Sequence, residues 1–256
     1  MSRNSQETPF FIGYLPTPAG LKIFLVSVAA GFMGVFAALA LAIGAAQDDP
    51  GPGEFLWSAG RQTVTGTVEA KPYPVMHVTE GSDRIPAGRT IMLSNPGKNG
   101  VQQRLDQYDG QMVTLSGIAL KRGDIDFLQI GGGKTAIEVR DESTAPARPE
   151  PQSLGRWRLK GEMCDGKCLA GAMRPGRGLS HRACANLCLT GGIPPVFVSS
   201  APVDGRDFFL MANKDGAPLP DSYLNYVSMF VSLDGEVERH GSLLIFKVDL
   251  DTLKVL

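Results

Sequence analysis

The chain has no surplus of basic residues: 25 Lys and Arg stand against 26 Asp and Glu in 256 positions, a net charge of −1. Proteins that neutralise nucleic-acid phosphates carry such a surplus, so no nucleic-acid partner is expected. Histidine (three residues) and cysteine (four) are both scarce. No nucleophile elbow, P-loop or dinucleotide fingerprint occurs anywhere. Gly131-Gly132-Gly133-Lys134 lacks the spacing of a phosphate loop and reads as a turn. His77 and His240 stand isolated as surface or turn residues, and the carboxylates form no convincing pair. Trp57 and Trp157 read as packing anchors ahead of their domains. These absences point away from an enzyme.

Charge is missing altogether between Ile23 and Ala46, a run of 24 residues. About 20 suffice to cross the hydrocarbon layer as a helix, so a transmembrane helix is expected at 23–46. A cleaved signal peptide is the alternative, and Gly44-Ala45-Ala46 resembles a cleavage site, but its apolar region would be about 7–15 residues long. Arg3 and Lys22 precede the run while Asp48 and Asp49 follow it. The positive-inside bias then places residues 1–22 in the cytoplasm of a bacterial cell and the C-terminal part in the periplasm. Phe10-Phe11-Ile12-Gly13-Tyr14 reads as an interfacial segment. Ala30, Gly34, Ala38, Ala42 and Ala46 form a small-residue stripe suited to helix packing, although the whole span is rich in Ala and Gly.

Glycine (31) and proline (18) are plentiful, which favours short strands and many turns. The external part divides at Asp141–Gly155 (DESTAPARPEPQSLG), a linker composition. On either side the sequence repeats. Thr90–Ile130 lies on Phe208–Val248 at a constant offset of 118, matching Asn95, Tyr108, Val113, Leu115, Gly117 and Gly123 with Asn213, Tyr226, Val231, Leu233, Gly235 and Gly241. Both copies read as an alternating strand, a polar turn and a second apolar strand. Strands centred on Gly66 and Gly161 match at an offset of 95. The order fits small five-stranded barrels of the OB type. The predicted fold is therefore mainly β: an N-terminal transmembrane helix followed by two tandem OB-like barrels at 54–140 and 156–256.

The two offsets differ by 23 residues, so the second barrel carries an insertion after its first strand. All four cysteines lie there: Cys164, Cys168, Cys184 and Cys188, in two CxxxC pairs. In an oxidising compartment they form disulfides, for instance Cys164–Cys188 with Cys168–Cys184, although spacing does not fix the connectivity. Alternatively the four thiolates hold zinc or an iron–sulfur cluster, or Cys164 and Cys168 join His181, Met163 or Met173 in a copper site. A labile, redox-active pair is the third possibility. His181 taken alone reads as a hydrogen-bonded loop residue.

The run LKGEMCDGKC, then MRPGRGLSHRACANLC and GGIPP resembles a twin-CxxxC motif of bacterial membrane-anchored proteins with no assigned activity, over roughly Leu159–Val198. The resemblance implies that the insertion is the distinguishing feature, with Cys164, Cys168, His181, Cys184 and Cys188 at its centre. Two functions follow as expectations. One is a non-enzymatic accessory or assembly subunit of a membrane complex, of redox or respiratory type, meeting a protein partner through the helix and barrel surface. The other is a metal-binding or electron-transfer protein built on the insertion. Glycan binding on a barrel face is a weaker third option.

Overall fold

The computed structural model describes residues 17–46, 51–140 and 148–256. Two compact units result, 1–49 and 50–256. The first holds α1 (Ala19–Ala46), 28 residues starting directly after Pro18, whose carbonyl accepts from the Leu21 and Lys22 amides. Gly20–Ala45 is long and apolar enough to cross a membrane by length and composition. Its 26 residues rise about 39 Å, more than the hydrocarbon thickness. Ala30, Gly34, Ala38 and Ala42 are all exposed on the helix. The Ala46 side chain, and the interfacial segment expected at Phe10–Tyr14, lie outside the described residues.

The second unit contains both barrels. A short β1 (Glu54–Phe55) precedes β2 (Gln62–Glu69), β3 (Val75–Glu80) and β4 (Thr90–Ser94). The one-turn helix α2 (Gln102–Leu105) then leads to β5 (Met112–Arg122), β6 (Ile125–Ile130) and β7 (Ile137–Val139). Strand β2 pairs antiparallel with β3 and β5, β3 with β4, and β5 with β6. Parallel pairing of β4 with β6 completes the ring. The second copy runs through β8 (Gln152–Asp165), α3 (Arg182–Thr190), β9 (Pro195–Val203), β10 (Arg206–Asn213), β11 (Phe230–His240) and β12 (Leu243–Val255). Its closed barrel has the same pairings, including the parallel closure of β10 with β12. Five strands with one parallel closure between the third and fifth are the OB arrangement.

The duplication predicted from sequence holds in register. Both β5 and β11, and the starts of β6 and β12, are 118 residues apart. Gly66 pairs with Val113 just as Gly161 pairs with Val231. A Cβ on Gly66 or Gly161 would lie within 2.1 Å of a carbonyl oxygen of the neighbouring strand, so no side chain fits where these strands coil. Strand β8 begins at Gln152, inside the stretch expected as linker.

The barrels share an apolar layer. Val75, Met92, Leu120, Ile125 and Phe127 of the first pack with Val196, Leu210, Ala212, Leu243 and Ile245 of the second. Beside it the isolation expected for His77 and His240 is corrected. Both are buried, and the Glu69 carboxylate bridges them, 2.7 Å from His77 Nε2 and 3.0 Å from His240 Nδ1. His240 Nε2 also meets Glu238, which pairs with Lys247. Sequence reasoning missed this because Glu69 and His77, eight residues apart, lie on neighbouring strands of the first barrel while His240 comes from the second, 171 residues from Glu69. The tryptophans are not packing anchors: Trp57 is 64% exposed, stacked on Phe55, and Trp157 is 40% exposed on β8.

Burial alone would raise the Glu69 carboxyl, but hydrogen bonds from His240 and His77 outweigh it and bring the pKa down to about 2. Burial pulls His240 down, and its bonds to Glu69 and Glu238 reverse this to a net rise above 6.5. The Glu69 contribution is complete above the ordinary 4.5 and is lost as pH falls towards about 2. The His240 contribution is complete below 6.5 and is lost as pH rises through its raised value. Maximal stability from this network is therefore expected between 4.5 and 6.5. Substituting Glu69→Gln should flatten that dependence and cost about 2–3 kcal/mol, since two buried histidines lose a charged partner. Denaturant unfolding from pH 2 to 9 measures both, and a variant within about 0.5 kcal/mol of wild type would refute the assignment.

Candidate metal-thiolate site

The insertion leaves the barrel at the end of β8, where the alternation of a strand sends successive side chains to opposite faces. Met163 enters the core of the second barrel, while Cys164, paired with Val196, enters the layer between the barrels. Asp165 follows, fully buried. Cys168 then opens an irregular helical turn, Cys168–Ala172, and its amide donates to Asp165 Oδ1 at 2.8 Å. After a Gly- and Pro-bearing reversal, a short 3-10 turn (Leu179–His181) runs into α3. Cys184 and Cys188 lie one helical turn apart on α3 and therefore face the same way. His181 is buried with its Nε2 3.1 Å from Asp165 Oδ2. Asp165 thus ties the strand end, the Cys168 turn and the entry to α3 together.

Three sulfurs converge. The ligand atoms of Cys168, Cys184 and Cys188 lie within 4.8 Å of one another, and those of Asp165, Cys168 and His181 form a second such group sharing Cys168. Cys168 Sγ and Cys188 Sγ are 3.9 Å apart in a small pocket closed by Ile193 and Ala172. The first barrel adds a cation: Lys98 Nζ, on the loop between β4 and α2, is 2.7 Å from Cys184 Sγ and 3.5 Å from Cys188 Sγ. Lys167 Nζ reaches back to the same loop and donates to the Asn95 and Gly97 carbonyls. Backbone meets backbone there as well. Gly100 N donates to Gly191 O at 2.7 Å, and a Cβ on Gly191 would sit 1.9 Å from Lys98 O.

These neighbours set the thiol chemistry. The Cys168 hydrogen bond, aided by Lys98, brings Cys188 down to about 7 against the opposing effect of burial, while Cys168 is pushed up as the proton-holding partner. Burial drives Cys164 far above the ordinary thiol range. Burial also lowers Lys167 to about 8, and contact with Cys184 raises Lys98.

The arrangement corrects the sequence reading in several respects. Cys164 does not join the cluster, because β8 continues through it and turns its side chain to the layer between the barrels. All four cysteines are free thiols, and the 3.9 Å between Cys168 and Cys188 is far beyond the S–S bond length of about 2.0 Å. Neither expected disulfide is present, and a four-thiolate zinc or iron–sulfur site is not assembled. The expected copper set disperses as well: Met163 is in the barrel core and Met173 is 43% exposed. His181 is hydrogen-bonded as expected, but it is buried at the end of a 3-10 turn against Asp165 rather than in an open loop. Asp165 and Lys167, missed by sequence reasoning, are legible afterwards inside the CDGKC run. Lys98 carries no such signal, since it comes from the other barrel. No family model, curated protein or solved structure matches the chain.

Burial orders the reactivity of the thiols. Cys184 is half-buried and the other three are buried. Brief alkylation of the reduced, metal-free native protein should label Cys184 first and Cys164 only after unfolding. Peptide mapping reads this directly, and labelling of Cys164 in the native state would contradict its placement.

Proposed function

We propose that this protein is a membrane-anchored binder of a thiophilic metal ion, cuprous copper above all, serving a larger membrane assembly as an accessory subunit. One observation carries the reading: Cys168, Cys184 and Cys188 bring three sulfurs within reach of a single ion. A thiolate shell at about 2.3 Å from a metal has sulfur–sulfur edges of about 4 Å, and the Cys168–Cys188 separation of 3.9 Å agrees. Three soft donors without a fourth suit a cuprous ion, which accepts trigonal thiolate sets, better than structural zinc, which takes four ligands. Lys98 and Lys167 offset part of the negative charge that three thiolates would accumulate. Asp165 and His181 hold the Cys168 turn in place beneath them.

The N-terminal helix supports a membrane location, and its charged flanks support a periplasmic position for the barrels. A binder held at a membrane hands its ion to a neighbour, which is how metal binding and an accessory role join in one function. The full-length protein, purified reduced and without oxygen in mild detergent, is titrated with cuprous ion against a competing chelator. One equivalent should bind to wild type and to Cys164→Ser. Binding should fall at least about tenfold in Cys168→Ser, Cys184→Ser and Cys188→Ser, the loss of one of three ligands. Equal binding by all four variants, or a preference for zinc with a fourth ligand, would overturn the reading.

A further inference from the structure

The contact between Lys98 and Cys184 goes beyond metal binding. Nζ and Sγ are 2.7 Å apart, an amine and a thiol from different barrels held against one another. Sulfur is larger than oxygen, so an N–H···S hydrogen bond is longer than the 2.7–3.2 Å usual for N–H···O. The gap is nevertheless too wide for a direct nitrogen–sulfur bond. It is one oxygen atom wide.

The approach is built by the fold. Residues 95–100 are fixed by the Lys167 ammonium on two carbonyls, by Asn95 Nδ2 donating to Gly100 O, and by Gly100 N on Gly191 O at the end of α3. Cys184 is half-buried and so accessible to a small oxidant, whereas Cys168 and Cys188 are sealed in the apolar pocket.

We propose that, in the metal-free protein, Lys98 and Cys184 are joined by dioxygen into a nitrogen–oxygen–sulfur bridge that links the two barrels covalently. The step balances. The amine and thiol together give up two hydrogens as one water containing one oxygen atom of dioxygen. The second oxygen atom remains between nitrogen and sulfur, and the four electrons taken up by dioxygen come from the amine–thiol pair. Bridge formation removes Cys184 from the sulfur cluster, and four equivalents of a thiol reductant cleave it, becoming two disulfides and releasing the bridging oxygen as water, to restore the amine and the thiol. The site would then be closed under oxidising conditions and open under reducing ones.

The full-length protein in detergent, reduced and stripped of metal, is exposed to air and compared with an anaerobic sample by intact mass and non-reduced peptide mapping. The expected result is a gain of about 14 Da, one oxygen added and two hydrogens lost. The peptides carrying Lys98 and Cys184 should be joined, and thiol reductant should reverse the change. Lys98→Arg and Cys184→Ser should show no gain, while Cys164→Ser behaves as wild type. A loss of about 2 Da with Cys168 joined to Cys188 would overturn the proposal in favour of an ordinary disulfide. So would a gain that survives in Lys98→Arg, or no change of mass at all. Cuprous binding by the reduced protein is measured in parallel, so failure of the bridge and failure of the metal reading are separately visible.

Discussion

The apolar layer between the two barrels is the contact on which the rest of the structure depends. Phe127 and Met92 on one side, and Leu210 and Ile245 on the other, are buried in one cluster where the barrels meet, together with Leu169 and Ala170 of the insertion. At roughly 25 cal/mol per Å2 of apolar surface removed from water, a layer of this kind supplies several kcal/mol. Every polar arrangement described above sits at its margin. Glu69 bridges two histidines from different barrels there, and Lys98 crosses from the first barrel to the sulfurs of the second. Cys164 is part of the layer itself, which is why it is lost to the cluster. The duplicated fold is therefore less a pair of beads than one body with two closed sheets.

Much of this was legible in the chain. The alternation in Met112–Gly117 and Phe230–Gly235, the glycines at equal offsets and the surplus of 23 residues in the second copy prescribe two like barrels and the location of the insertion. Those signals are local, because strand periodicity and turn chemistry act over a few residues. The cysteine pattern was legible in its location and misleading in its pairing. A CxxxC spacing places both sulfurs on one face only where the backbone is helical throughout. That holds for Cys184 and Cys188 on α3 and fails for Cys164 and Cys168, which straddle the end of β8. The inter-barrel partners were not legible at all. Glu69 and His240 are 171 residues apart, and Lys98 and Cys184 are 86 apart, with neither pair marked by a shared motif.

The cluster also shows how buried charge is managed in a small site. Three thiols, a carboxylate, an imidazole and two ammonium groups occupy the seam between the barrels. Each has a named partner: Asp165 with His181 and the Cys168 amide, Lys167 with two carbonyls, Lys98 with Cys184. Such satisfaction makes burial of polar groups tolerable. It also leaves the thiols with unlike proton affinities, Cys188 low and Cys168 high, although the two sulfurs touch.

The seating of the Lys98 loop on Gly191 has a consequence of its own. Its central contact joins peptide groups, and peptide groups neither titrate nor carry net charge. Salt and proton concentration can alter the sulfurs and ammonium groups around it, yet they have little purchase on the Gly100–Gly191 bond that sets the loop's height above α3. The frame is thus constant while the chemistry mounted on it responds to its surroundings, in the manner of an instrument whose mounting does not drift with the quantity it measures.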